Sequence, residues 1–188
     1  GVVVSEDDWF EMRLASGGGF GDPLDRSPEL VARDVAEGRF SPEDAASIYG
    51  VVLEGSGAPD ALATEEARGG LRRERLTRAE PPRRALEGSA VEPGQAVSGG
   101  DAQPLQPGVF QRGTVAYAEA SGTPLAVAPD HWSDGCAVLV ERRSLEGPPI
   151  VTRSYLDPAT GRSLMVEVVP DGAERSFEVS PKRWTGAR

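Results

Sequence analysis

Three side chains in the second half of the chain could bind a metal ion: those of His131, Cys136 and Asp157. A structural zinc site needs four ligands, usually supplied as close sequence pairs that share a turn. His131 and Cys136 lie five positions apart, and no fourth ligand is evident. The spacing therefore predicts no metal site. We expect instead a buried Cys136 thiol and a surface His131.

Nucleophilic catalysis is also poorly supported by the sequence. A reactive cysteine needs a neighbouring base that activates the thiolate. Cys136 opens the apolar run Ala137–Val140, which favours an inert core thiol. A serine triad could use only His131, and no serine elbow is present. The paired carboxylates Asp7–Asp8 and Glu65–Glu66 lie in polar stretches and are expected to be solvated, so we predict no catalytic residue.

A glycine-rich loop occupies residues 16–23, SGGGFGDP. Backbone N–H groups of such a loop can bind phosphate. This loop lacks the Lys-Ser/Thr of a P-loop and the spacing of a dinucleotide-binding fingerprint. Asp22 would also repel phosphate. We therefore predict no cofactor-binding residue. We expect this backbone to pack closely against another subunit or against the rest of a large subunit.

Helix signals follow the loop. Ser27 can cap a helix that starts at Pro28, and Ser41 can cap a second one after a break at Gly38. Gly50 then marks the stop of the second helix. A strand is predicted before the loop at residues 9–14, and a short buried strand at Val51–Leu53.

Residues 60–80 carry a polar helical pattern with Gly69-Gly70 in its middle. An arginine series runs through and beyond it. A solvated face balanced by nearby glutamates and docking onto an acidic partner both remain open. No aromatic residues interleave with the arginines, which disfavours single-stranded nucleic acid. The arginines are at positions 68, 72, 73, 75, 78, 83 and 84.

The remaining chain divides into a Pro/Gly-rich linker and a β-rich domain. Periodicity vanishes over residues 81–107, so we predict an extended linker there between domains 1–80 and 108–188. The predicted fold class is α+β, with a small, mostly β C-terminal domain. The predicted strands lie at 114–117, 125–127, 137–141, 150–153 and 164–169, with a 157–162 turn joining the last two into a hairpin.

Composition limits the possible partners. The chain has 188 residues and a net charge of −10, which argues against nucleic acid and anionic membranes. No apolar run reaches the length of a membrane span. A single cysteine rules out an internal disulfide and fits a reducing cytoplasm.

Residues 17–53, GGGFGDPLDRSPELVARDVAEGRFSPEDAASIYGVVL, resemble the C-terminal end of the large subunit in the hydantoinase B/oxoprolinase family. That family closes with a Gly-rich GDP loop and a "DV..G..SPE.A...YGVV" run, and it includes N-methylhydantoinases and the related acetone carboxylases. The resemblance implies that residues 1–80 complete a larger neighbour. The predicted interface residues are Gly17, Gly18, Gly19, Phe20, Gly21, Asp22, Pro23 and Tyr49.

A second resemblance covers the C-terminal part. Residues 151–172, VTRSYLDPATGRSLMVEVVPDG, are similar to the closing segment of the acetone carboxylase gamma-type subunit, "TR.YYCP.C..LL.VEV...G". Asp157 and Thr160 stand where that pattern has two zinc-ribbon cysteines. The resemblance therefore implies a related small β domain that has lost its zinc.

Together the resemblances imply an accessory subunit of an ATP-dependent hydantoinase/oxoprolinase or acetone-carboxylase-like complex. Its partners would be larger hydantoinase A-like and hydantoinase B-like subunits, in which ATP and a divalent metal are expected. A stand-alone interaction module that docks through the arginine-rich helix is the alternative. A self-sufficient hydrolase is a third possibility.

Overall fold

The computed structural model describes residues 21–86, 101–143 and 149–176. Its first part contains a short 3₁₀ helix, Pro23–Asp25, and three α-helices: α1 (Pro28–Ala36), α2 (Pro42–Tyr49) and α3 (Ala61–Arg78). The strand predicted at 9–14 and the C-terminal residues Phe177, Val179 and Trp184 lie outside the described ranges.

The predicted helix signals are confirmed. Ser27 caps α1, and Ser41 with Asp44 forms a reciprocal capping box at α2, with both backbone-to-side-chain distances at 3.1 Å. Gly50 ends α2 in the left-handed conformation, with φ of 62°. These contacts join residues at most five apart, so local sequence determines them.

The strand predicted at Val51–Leu53 is wrong. Leu53 makes only an isolated antiparallel bridge to Pro59, because the chain turns back at once through residues 54–57. Val52 instead donates its N–H to Thr64 Oγ1 at 3.1 Å. This hydrogen bond links the first turn of α3 to the segment that follows α2.

The first two helices share a small apolar cluster. Val31, Ala45 and Val51 are almost fully buried, and the Phe40 and Tyr49 rings stack with centroids 5.2 Å apart. The inner faces of α1 and α2 are thus covered by their own chain. Their outer faces still expose Leu30 and Ile48.

The second part contains two antiparallel sheets, which confirms the α+β class with a mostly β C-terminal part. The 157–162 turn does join two strands into a hairpin, as predicted. Sequence reasoning missed the first two strands, of which the first lies inside the range predicted as a linker. The four-stranded sheet is β1 (Gln103–Gln106), β2 (Val109–Arg112), β3 (Val115–Ala118) and β4 (Pro124–Val127), and the three-stranded sheet is β5 (Ala137–Arg143), β6 (Ile150–Leu156) and β7 (Ser163–Pro170).

Trp132 lies at the centre of the β-rich core. It is fully buried in one cluster with Leu125 and Cys136, and its ring meets the Tyr155 ring edge-on at 6.2 Å. Gly135 allows this packing, because a Cβ there would lie 1.9 Å from the Leu125 carbonyl oxygen.

The end of α3 packs on the three-stranded sheet. Leu76 and Ala79 contact the cluster of Ala137, Leu139 and Leu156. Beyond the helix, Glu80 and Val138 exchange two backbone hydrogen bonds of 2.9 Å. The helical and β-rich parts are therefore in direct contact. The division into domains at residues 81–107 stays a prediction.

Candidate functional site

Asp22, near the end of the glycine-rich loop, is the centre of a buried hydrogen-bond network. Its carboxylate accepts hydrogen bonds from the N–H groups of Leu24 (3.0 Å) and Ser163 (2.8 Å) and from the Arg75 guanidinium (2.8 and 3.0 Å). The Asp22 side chain has no solvent exposure. One carboxylate thus joins the loop, α3 and the first residue of β7.

A second, more exposed set of ion pairs lies beside it. Asp25 accepts from Arg72 and from Arg162, each at 2.6 Å. Gly161 packs against the helix here, since a Cβ at this position would lie 2.4 Å from the Arg72 carbonyl oxygen. The turn between β6 and β7 therefore packs directly against α3.

Most of the arginine series is bound to acceptors of its own chain. Arg68 donates to the backbone carbonyls of Tyr49 (3.0 Å) and Arg26 (2.5 Å), and Arg78 pairs with Glu141 at 3.0 Å. Arg84, in the segment after α3, pairs with Asp130. Among the described residues, Arg73 and Arg83 make no ion pair.

The predicted interface residues that the structure describes differ in their exposure to solvent. Gly21 and Pro23 are exposed, whereas Asp22 faces its own chain. Tyr49 is half-buried, with the Arg26 guanidinium 5.7 Å from its ring centre. Residues Gly17, Gly18, Gly19 and Phe20 lie outside the described ranges. The assignment of these eight residues to a subunit interface stays a prediction.

His131 is buried, which corrects the expectation of a surface histidine. Its Nδ1 accepts from the Ser133 N–H at 3.2 Å and lies 3.0 Å from the Ser133 hydroxyl, to which Arg175 donates at 2.7 Å. Burial, followed by the nearby Arg175 charge, lowers the His131 pKa to about 4. The imidazole is therefore neutral at pH 7 and caps the short 3₁₀ helix Trp132–Gly135.

The groups around His131 line a cleft of about 990 Å³. Val138, Val140 and Val151 contribute apolar side chains to the lining. The charged lining groups are largely paired: Arg175 with Asp134 at 3.2 Å and Arg142 with Asp171 at 3.0 Å. These pairs neutralise four of the lining side chains, whereas Arg83, which also lines the cleft, makes no ion pair among the described residues.

Cys136 and Asp157 also have structural roles. Burial, and then the carboxylates of Asp157 and Asp134, raises the pKa of the Cys136 thiol far above its usual range, so the thiol is inert. Asp157 is fully buried and accepts from the Ala159 N–H at 3.0 Å and the Thr160 hydroxyl at 2.7 Å. Within the described ranges, no three His, Cys, Asp or Glu side chains are grouped to hold a metal ion.

Sequence reasoning missed a buried carboxylate, Glu167. Its oxygens accept from the hydroxyls of Tyr155 and Ser176, each at 2.6 Å, and from Arg153 at 3.2 Å. Burial raises the Glu167 pKa, but the hydrogen bonds from Ser176, Tyr155 and Arg153 outweigh it and lower the pKa overall. Burial raises the Tyr155 pKa to about 12. The alternation of side chains along β7 could have indicated that Glu167 is buried. Glu167 lies between Met165 and Val169, which face inward, and side chains two positions apart on a strand face the same side.

The chain is similar to one curated protein, the alpha subunit of acetone carboxylase from Xanthobacter autotrophicus strain Py2. The two are 35% identical over 90 residues, which is 46% of this chain and 12% of that subunit. The chain thus spans about an eighth of the length of the relative. No family model matches, and no solved structure matches. Among the described helices, none combines the length and apolarity needed to cross a bilayer.

Proposed function

We propose that this chain is an accessory, structural subunit of an ATP-dependent hydantoinase/oxoprolinase or acetone-carboxylase-like complex, in which it completes the large subunit. The similarity to the acetone carboxylase alpha subunit is the observation that carries the proposal. Since only 12% of that subunit is represented, the matching stretch belongs there to a much larger polypeptide. In this proposal the matching stretch of the present chain packs against a large neighbour.

The side-chain chemistry supports a structural role. The buried carboxylates of Asp22, Asp157 and Glu167 each accept several hydrogen bonds from their own chain. Catalytic acids and bases need ionisable groups that can reach a substrate. In this proposal the partner subunits supply the ATP site and the divalent metal.

The alternative, a stand-alone module that docks through its arginines, has less support. Arg68, Arg72, Arg75 and Arg78 are already engaged by acceptors of their own chain. A free docking helix would present those guanidinium groups to a partner. A self-sufficient hydrolase has no supporting arrangement among the described residues.

The test is capture of the full-length, tagged chain from its native host. We expect two carboxylase-like or hydantoinase-like large subunits, identified by peptide mass spectrometry, in one complex of fixed stoichiometry by native mass spectrometry. Deleting the chain should abolish ATP-dependent turnover by that complex, and adding back purified chain should restore it. A chain that stays monomeric and retains no large subunit would refute the proposal.

A further inference from the structure

Two short turns lie at the same end of the three-stranded sheet and share one sequence spacing. Ser133 and Cys136 enclose two residues, as do Asp157 and Thr160, and residues 137–156 separate the two pairs. Four cysteines in this arrangement, C-x₂-C followed after about 15–20 residues by a second C-x₂-C, form a structural zinc site. The same four positions in this chain carry one cysteine.

The fold brings the two pairs together. Ala137 and Leu156 are direct partners in the antiparallel pairing of β5 and β6. Cys136 directly precedes Ala137, and Asp157 directly follows Leu156. Cys136 and Asp157 are therefore neighbours at one end of the sheet, and both are buried.

Each pair also closes a tight turn of its own. The Cys136 N–H donates to the Ser133 carbonyl at 3.1 Å, and the Thr160 N–H donates to the Asp157 carbonyl at 3.3 Å. Ser133 belongs to the 3₁₀ helix Trp132–Gly135, which Cys136 ends. Side chains three positions apart eclipse in such a helix, so Ser133 and Cys136 lie on one side of their turn.

The donor atoms at these four positions do not suit zinc. Structural zinc takes thiolate sulfur or imidazole nitrogen. Cys136 supplies the one thiol of the chain, whereas the other three positions supply two hydroxyls and a carboxylate. The Nδ1 atom of His131, the one histidine, accepts from the Ser133 N–H at 3.2 Å. The residues present therefore do not fit a structural zinc ion.

Hydrogen bonds engage the three oxygen-bearing side chains instead. The Asp157 carboxylate accepts from the Thr160 hydroxyl at 2.7 Å and from the Ala159 N–H at 3.0 Å. The Ser133 hydroxyl accepts from Arg175 at 2.7 Å. Because Asp157 and Ser133 are buried, loss of a partner would leave a polar group unsatisfied away from water.

We infer that these hydrogen bonds replace a metal ion, so that the two turns are a metal-free counterpart of a four-cysteine zinc site. The β-rich part then folds without zinc and is insensitive to chelators. The inference concerns the folding of this chain by itself, so it stands independently of the proposed function.

The metal dependence of the full-length wild-type chain is the first test. The chain is unfolded in urea with EDTA, refolded in chelator-treated buffer, and then melted with EDTA or with excess Zn²⁺ while circular dichroism is recorded. We expect the same melting temperature in both conditions and no bound zinc by elemental analysis. A stoichiometric zinc content, or a melting temperature that EDTA lowers, would overturn the inference.

The second test addresses the hydrogen bond between Thr160 and Asp157. Thr160→Val removes the hydroxyl donor and should lower the melting temperature by about 3–10 °C, whereas Thr160→Ser keeps the donor and should recover most of that loss. Thr77→Val is the matched control, because the Thr77 hydroxyl donates to a carbonyl on the exposed surface of α3. Equal melting temperatures for Thr160→Val and Thr77→Val would show that the Thr160 hydroxyl does not hold the turn.

Restoring the thiols tests whether the four positions surround one point. The triple variant Ser133→Cys, Asp157→Cys, Thr160→Cys retains the native Cys136. It should bind about one Co²⁺ per chain with the visible absorption of a tetrahedral cobalt–thiolate centre, and Zn²⁺ should displace the Co²⁺ and raise the melting temperature. Adding Cys136→Ser should weaken Co²⁺ binding at least about tenfold, since it removes one thiolate. A triple variant that binds no Co²⁺, whether it is folded or stays unfolded with Zn²⁺ present, would show that the four positions do not form one site.

Discussion

Replacing Asp22 with alanine should destabilise the whole described structure. The substitution removes the acceptor of hydrogen bonds from Leu24, Ser163 and Arg75. It also leaves the Arg75 guanidinium, whose side chain is 22% exposed, without its counter-ion. Breaking a buried ion pair from one side costs about 3–5 kcal/mol. Because Arg75 keeps some contact with water, we expect about 3 kcal/mol.

Urea unfolding of the full-length chain, followed by circular dichroism, measures this effect. With a slope of about 2 kcal/mol per molar urea, the midpoint should fall by about 1.5 M while the slope stays unchanged. Asp25→Ala is the matched control, since its ion pairs to Arg72 and Arg162 are partly exposed and are expected to contribute about 1 kcal/mol or less.

A comparison of the two variants can refute this reasoning. If Asp22→Ala costs no more than Asp25→Ala, the carboxylate of Asp22 is not the centre of the network. A double-mutant cycle with Arg75→Ala should give a coupling free energy of about 1–3 kcal/mol. Absence of coupling would show that the two side chains act independently.

Three further predictions concern single sites. Gly161→Ala should lower the melting temperature, because its φ of 72° disfavours alanine and a Cβ there would approach the Arg72 carbonyl oxygen; Gly172→Ala, also at positive φ but in open space, should cost less. Alkylation of Cys136 by iodoacetamide at pH 8 should be slow in the native chain and fast in urea, and equal rates would contradict a buried, protonated thiol. Stability should fall as the pH drops from 6.5 to about 4, since the unfolded His131 binds a proton in that window while the folded one stays neutral. The loss from this group is up to about 3 kcal/mol, and His131→Gln should reduce the slope of stability against pH.

Structural features that depend on contacts between neighbouring residues are predicted well from the sequence. The caps at Ser27 and Ser41 and the stop at Gly50 depend on contacts within one helical turn, and the structure has them as predicted. The buried thiol of Cys136 also follows from its apolar surroundings.

Contacts between distant residues were not predictable in the same way. Asp22 and Ser163 are 141 positions apart, and nothing near Asp22 in the sequence points to β7. The segment Val51–Leu53 has the composition of a strand, but no neighbouring strand lies alongside it beyond the single bridge at Leu53. The sequence predicted an exposed His131 because the residues around it are typical of a surface loop. Nothing in that loop indicates that His131 contacts Ser133, or that Ser133 in turn is bound by Arg175.

The hydrogen bonds that Asp22 accepts from Arg75 and Ser163 also have a consequence for dividing the chain into two separately encoded pieces. A break between residues 86 and 101 would give two polypeptides, one holding Asp22 and Arg75 and the other holding Ser163. The hydrogen bond between the Ser163 N–H and the Asp22 carboxylate would form only when the two pieces met. Such halves should behave as a split protein that regains structure by complementation, and the two coding regions should be inherited together.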